Sequence, residues 1–556
     1  MDYSILIGGE AGQGMDTLTH ILEKTLKRCG YYVFSYKDYM SMVRGGHNFM
    51  QIRFSRSPVY TYSSKVDIIL ALSQETIDIH RWKLKDKGVI IADERFNKEK
   101  NTLSLPLGEI ARDLGNKRVI GTLGLGGILK YFGLPMDKAK EVIKDEFSER
   151  LIDINIRALE AGYNRVENRY DLNTYEDKNI IINGNQGVAL GAIAAGCRFY
   201  CGYPMTPSTS ILSYMAKKSE EIGIVVDQVE DEVAALNMAL GASYAGVRAM
   251  TGSSGGGFAL MVEALSLAGV TEIPVVVIDV QRPGPATGLS TRTEQGDLRF
   301  LLHAGHGEFP RMVIALRNPE DAFYQTARAF NLAEKYQIPV LILSDEYLAD
   351  YTTTVKPLDF NKIQIERHIS GTEAVTDEEY KRYKITPSGI SPRIIPGKIP
   401  GQVVLVDSHE HDEWGHISED VDNRINMVEK RMRKLDRLKE EVEEPWVIGK
   451  ERPENLILCW GSTYGAVREV VYRLDEEGVS IGALVFGDIW PFPTKRLVDM
   501  GRRAKRIIDV EQNFTGQLDT LVRQESSIRC THKILKYDGR PLGGDELYSR
   551  LKEEVL

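Results

Sequence analysis

The 556-residue sequence predicts an α/β protein built from three successive strand–helix stretches, and three observations carry that reading. Short apolar runs such as "YSILIGG", "IPVVVIDVQR" and "NLILCW" have the length of buried parallel strands. Segments with apolar residues at helical spacing follow them, as in "MDTLTHILEKTLKRCG" with Gly30 as terminator. Polar or Pro/Gly-rich stretches then separate the three groups.

Taken in order, "VDIILAL" and "KGVIIAD" add strands to a first α/β domain over 1–165. Residues 166–178, "VENRYDLNTYEDK", are polar and aperiodic and suit a linker. A second α/β domain spans 179–350, with "DEVAALNMALGASYAG" as a helix, "RAMTGS" as a strand end and "QIPVLILSDEYLAD" closing it. From 351 to 450 the pattern weakens: "ITPSGISPRIIPGKIPGQ" is irregular, and "INMVEKRMRKLDRLKEEVEE" reads as a charged helix with a solvated polar face. A third α/β domain, 451–556, takes "NLILCW", "SIGALVF" and "KRIIDVEQN" as strands.

Composition narrows the function. Hydrophobic content of 42% and charged content of 27% are those of a soluble globular protein. A net charge of −9 argues against a nucleic-acid or anionic-membrane surface. No apolar run reaches the roughly 18 residues of a membrane span, and "MDYSILIGG" reads as a first strand, not a signal peptide, so cytoplasmic localisation is expected. The five cysteines form no CxxC; the single C-x3-C, Cys197 and Cys201, reads as packing.

Six stretches are candidates for chemistry. The first, "TGSSGGGFALM" at 251–261, ends a strand with small residues, either as a flexible loop or as a close backbone approach to a ligand. "GGEAGQGMD" places Gly9, Gly12 and Gly14 between a strand and a helix, either as a tight turn or as a close approach to an anion. "GYPMTPSTS" spends Pro204 and Pro207 on a corner where no N–H is needed. There Thr206, Ser208 or Thr209 can cap the next helix, or face a ligand at the carboxyl end of a strand. In "VEDEV", Glu230, Asp231 and Glu232 complement a helix dipole, or one of them turns inward to handle a proton. "QRPGPATGLSTRTEQGDL" carries Arg282 and Arg292, whose forks suit a carboxylate or phosphate. "DSHEHDEWGH" gathers His409, His411 and His416 at a spacing that is neither HExxH nor a zinc finger, and no metal ligand set is assigned.

In family order, these motifs resemble the fused gamma–alpha subunit of 2-oxoacid:ferredoxin oxidoreductases, nearest the 2-oxoglutarate type. "GGEAGQG" with "MVRGGHNFMQIRFS" is similar to the gamma domain. "GYPMTPST", "EDEVAALNMALGASYAGVRAMTGSSGGGFALM" and the Arg282 loop are similar to the pyrimidine-binding domain of thiamine diphosphate enzymes. "GISPRIIPG" with "EHDEWGHISED", and "VEQNFTGQL", resemble the later segments, including a transketolase C-terminal-like domain.

The resemblance implies CoA-dependent oxidative decarboxylation of a 2-oxo acid, best matched to 2-oxoglutarate giving succinyl-CoA, with electrons passed to ferredoxin. It implies that Glu232 faces N1′ of the aminopyrimidine, with Tyr203 and Pro204 at that end of the cofactor. Thr206 and Arg282 would hold the substrate, with Thr291 nearby, and Gly9, Gly12 and Gly14 would contact CoA. Met205, Ser290 and Gly256 depart from the family's usual isoleucine, proline and proline, which puts substrate identity in doubt. Every "GD" here lacks the following Gly of a diphosphate–magnesium motif. A partner beta subunit is therefore expected to supply Mg2+, diphosphate contacts and a [4Fe-4S] cluster, in an (αβ)2 heterotetramer. The rival readings are the same chemistry on pyruvate, branched-chain or aryl 2-oxo acids, and a non-catalytic scaffold or nucleotide-binding subunit.

Overall fold

The computed structural model describes residues 2–41, 46–96, 99–376 and 379–556. Residues 42–45 of the gamma-like motif "MVRGGHNFMQIRFS" therefore lie outside the described residues. The chain divides into two compact units.

The first unit takes 1–183, 350–357 and 543–549. Its eight-stranded sheet runs Thr102–Leu105, Leu84–Asp93, Val66–Ala71, Asp2–Glu10, His47–Ser55, Tyr32–Asp38, Thr352–Val355, Ile180–Asn183. The first four strands are parallel and the remaining pairings antiparallel. The central strand Asp2–Glu10 is buried over seven consecutive residues, as its unbroken apolar run requires. Ile180–Asn183, which the pattern assigns to the second α/β stretch, pairs with Thr352–Val355 in this sheet. Residues 166–178 have no regular structure, yet they are held. Tyr170 packs edge-on against Tyr3 at 5.1 Å, and its N–H donates to the Tyr131 carbonyl. The aromatic residues hidden in this polar stretch anchor it.

The second unit takes 184–349, 358–542 and 550–556. It contains a seven-stranded sheet ordered Asp488–Trp490, Met312–Ala315, Pro339–Asp345, Val275–Gln281, Ala249–Ser253, Phe199–Gly202, Val225–Gln228. All neighbours are parallel except the first pair. A five-stranded sheet, Trp446–Gly449, Ile481–Phe486, Asn455–Trp460, Arg506–Glu511, His532–Leu535, is parallel but for its first strand. The strand Asp488–Trp490 comes from the C-terminal stretch yet completes the edge of the seven-stranded sheet. One apolar core then runs from Leu298 and Val313 to Leu456, Leu484 and Leu518. The fold is α/β, as expected.

One expectation is corrected here. The charged helix Val421–Leu438 does not simply present a solvated polar face. Lys430 and Lys434, one turn apart, are fully buried and both pair with Glu272, at 2.6 and 2.5 Å. Glu272 ends the helix Val262–Thr271 in a left-handed conformation and is itself 1% exposed. Spacing alone shows the stripe of lysines but not the single carboxylate, some 160 residues earlier, that draws it inward.

Candidate active site

Three parallel neighbours, Phe199–Gly202, Ala249–Ser253 and Val275–Gln281, end at one edge of the seven-stranded sheet. Ligand sites of open α/β sheets lie at such carboxyl edges. Each strand delivers one of the sequence candidates.

After Phe199–Gly202 the chain turns through Tyr203, which is exposed, and Pro204, which is half-buried, and enters the helix Thr209–Ile222. The capping explanation for the hydroxyls fails. Ser208 stands at the cap position with φ −73° and ψ −18°, already helical, so its side chain cannot reach the free N–H groups ahead. Its hydroxyl donates instead to the Met205 carbonyl at 3.1 Å. Asn185 ties the corner down from below, donating to the Pro207 carbonyl at 2.9 Å and to Ser210 at 2.6 Å.

The three acids of "VEDEV" separate into distinct environments. Glu230 and Asp231 are exposed, and Asp231 caps the helix Glu232–Tyr244 by accepting from the Ala234 N–H at 2.7 Å. Glu232, the first residue inside that helix, is 3% exposed. The hydroxyl of Ser253, last residue of its strand, donates to Glu232 Oε1 at 3.3 Å and lies 3.6 Å from Met205 Sδ. Gly257 lies across the same space: a Cβ there would collide with both Ser253 Oγ and Glu232 Oε1.

Arg282 directly follows Val275–Gln281, and its Nη1 donates to the Thr206 carbonyl at 2.6 Å. Burial draws its guanidinium below the ordinary arginine value. The structure thus joins Glu232, Ser253, the 205–206 corner and Arg282 in one chain of contacts. Thr291 is buried in the loop after Arg282, where its carbonyl accepts from Arg292 at 3.5 Å.

Sequence reasoning missed a carboxyl pair beneath this edge. Asp279, fully buried within Val275–Gln281, and Asp297 are both pushed up, by burial above all and, at Asp279, by the neighbouring charge. Asp297 stands where a Cβ on Gly255 would fall. The signal was present: an acid inside "VVVIDV" has no water to meet.

The glycine turn belongs to the first unit. Gly12 and Gly14 have φ of +93° and +76°, and Gly14 opens the helix Met15–Arg28. Gln13 folds back over Gly9 and accepts from the Glu10 N–H at 2.9 Å. In "DSHEHDEWGH", His409 pairs with Asp407, His416 with Asp412, and buried His411 stacks on Tyr383 at 3.8 Å. Glu410 binds Arg431 at 2.7 Å, so the segment clasps the helix Val421–Leu438. Among the described residues, no three His, Cys, Asp or Glu side chains converge as a metal site.

Comparisons with known proteins cover nearly the whole chain. Residues 190–430 match a family described as pyruvate flavodoxin/ferredoxin oxidoreductase, thiamine diphosphate-binding. Residues 4–165 match pyruvate ferredoxin/flavodoxin oxidoreductase, and 453–548 match pyruvate:ferredoxin oxidoreductase core domain II. A 2-oxoacid:ferredoxin oxidoreductase subunit alpha from a Sulfolobus species is 34% identical over 622 aligned residues, covering 99% of this chain and 96% of that protein. The 2-oxoglutarate synthase subunit KorA of Methanocaldococcus jannaschii is 34% identical, covering 61% of this chain and 89% of KorA. A solved 2-oxoglutarate:ferredoxin oxidoreductase from Magnetococcus marinus, with 2-oxoglutarate, coenzyme A and succinyl-CoA bound, superposes over 100% of both chains with a TM-score of 0.93 at 31% identity.

Proposed function

The chain belongs to the 2-oxoacid:ferredoxin oxidoreductases as an alpha subunit, and from that premise we propose that its carboxyl edge is the pyrimidine half of a thiamine diphosphate site for CoA-dependent oxidative decarboxylation of a 2-oxo acid. The observation that carries this reading is Glu232, a buried carboxylate at the start of a helix, facing a floor that only glycine at 257 leaves open. A flat aminopyrimidine beside a carboxylate fits that arrangement. The diphosphate–magnesium end does not fit: no Gly-Asp-Gly run exists, and no three metal ligands converge among the described residues. A partner beta subunit would supply that end, the iron–sulfur cluster and the path to ferredoxin, in an (αβ)2 assembly.

When bound, thiamine diphosphate supplies the carbon nucleophile for the keto group. The residues of this chain set up that step. Glu232 holds a proton against N1′ of the pyrimidine, and Ser253 fixes which oxygen does so. Arg282 spends one N–H on the Thr206 carbonyl and keeps the rest of its fork for the substrate carboxylate. Thr206 and Thr291 offer hydroxyls beside it, while Tyr203 and Pro204 wall the pyrimidine end. Coenzyme A is the acyl acceptor, with the turn at Gly9, Gly12 and Gly14 as its contact. The substrate proposed is 2-oxoglutarate, supported by the names of KorA and of the Magnetococcus enzyme.

Reconstitution with the partner subunit tests these roles separately. Glu232→Ala should abolish turnover of every 2-oxo acid, whereas Arg282→Ala should raise KM about 10- to 100-fold, the worth of one charge-assisted hydrogen bond, with a smaller change in kcat. Full activity in Glu232→Ala rejects the assignment. A preference for pyruvate over 2-oxoglutarate rejects the substrate alone.

A further inference from the structure

A cavity of about 660 Å³ opens in the second unit beside the five-stranded sheet, on elements that carry none of the residues placed at the carboxyl edge. One wall is Trp446, first residue of the strand Trp446–Gly449. The Arg317 guanidinium lies 3.4 Å from the centroid of its ring, and the Tyr464 ring meets it edge-on at 5.6 Å. Arg317 is itself locked by two hydrogen bonds to Asp321, at 3.0 and 2.7 Å. The indole is therefore a fixed plane. Met500, 4% exposed, adds an apolar surface.

Apart from Val447 the rest of the lining is charged, with cations outnumbering acids. Arg452, Lys495, Arg496 and Arg503 face two acids, Glu451 and Asp499, in a chain whose net charge is −9. Asp499 is committed to Arg503 at 2.7 Å. Arg496 donates through Nη1 to the Pro445 carbonyl, and nearby Glu444 accepts from the backbone N–H groups of Lys495 and Arg496. Arg452 and Lys495 have no carboxylate partner among the described residues. The volume lies within the roughly 300–1,000 Å³ of small-molecule sites. Two uncommitted cations beside an immobilised aromatic plane suit a ligand with a phosphate group at one end and a flat base at the other.

We propose that this cavity binds a nucleoside phosphate. A bare phosphate would leave the indole wall and most of the volume unused, and an apolar ligand would strand two cations. The proposal does not rest on the reading of the Glu232 site, and its test reads no turnover.

The test is isothermal titration calorimetry on the assembly with its partner subunit, with CoA saturating so that any CoA site is filled. ADP, adenosine and inorganic phosphate are titrated in turn. ADP should bind once per chain, and at least tenfold more tightly than adenosine or phosphate. Arg452→Glu with Lys495→Glu should weaken ADP at least tenfold with an unchanged melting temperature, since both side chains are exposed, and Lys495→Arg should retain binding. Absence of heat with ADP, or unchanged affinity in the double variant, overturns the site. Phosphate binding as tightly as ADP overturns the nucleoside part.

Discussion

At Gly257 a single methyl group would enter the space shared by Ser253 Oγ and Glu232 Oε1. The residue lies inside the short helix Gly255–Leu260 and has no positive φ, so alanine suits its backbone and should gain about 0.5–1 kcal/mol of local helix stability. Gly257→Ala is therefore expected to keep its melting temperature within a few degrees while turnover falls at least a hundredfold, because the carboxylate must rotate away. Retained turnover would show that Glu232 needs no fixed orientation. Much of this site could be read from the residues: Arg282 after an apolar strand, one inward acid among three, a hydroxyl-rich corner. The use of each hydroxyl could not. It depends on the φ and ψ of Ser208, and a cap-like sequence leaves open whether the cap residue is extended or already helical.

The helix Val421–Leu438 shows where pattern reading fails at the level of an element. A stripe of Lys, Arg and Glu is solvated by default, since burying an ammonium without a partner costs several kcal/mol. Here Glu272 supplies that partner to Lys430 and Lys434, and Arg382 donates to its backbone carbonyl at 2.8 Å. Removing the shared charge should be severe. Glu272→Gln is expected to cost about 3–5 kcal/mol, measured by denaturant unfolding, because two buried ammonium groups lose the carboxylate they share. The paired lysines also hold the Glu272 carboxyl well below the usual carboxylate range, although burial opposes them. The unfolded chain thus takes up a proton that the folded chain does not as pH falls below about 4.3. The stabilisation is present above that value and lost beneath it. Glu272→Gln should remove this part of the acid slope, and an unaltered slope would place it elsewhere.

Across the second unit, the two α/β stretches that the sequence separates share one core, and one glutamine stitches them where they meet. Gln295 Nε2 donates to the Trp460 carbonyl at 2.8 Å, and Gln295 Oε1 accepts from the Gln512 N–H at 2.9 Å. The backbone of Gln295 adds a donation to the Gln512 carbonyl at 2.7 Å. "TEQGDL" and "VEQN" are thus halves of one joint, 217 residues apart, and no local periodicity could pair them. The strands themselves were legible because each is a short apolar run; their assembly was not, because it rests on such long-range polar contacts. Gln295 also lies near the end of the loop that Arg282 begins, three residues before the helix Leu298–His303, so the joint anchors the far side of the segment proposed to face the substrate. Gln295→Ala leaves the buried Gln512 N–H without its partner, while the Trp460 carbonyl keeps the Thr463 hydroxyl, a cost of about 1–3 kcal/mol. Calorimetry should show the second unit melting earlier but still in one transition, since the apolar core is continuous from Leu298 to Leu518. KM for the 2-oxo acid should rise as well, because the loop carrying Arg282 loses its far anchor. Two separate transitions in the variant would mean that the sheets are held by this joint and not by their common core, and an unchanged KM would mean that Arg282 is positioned by its bond to Thr206 alone.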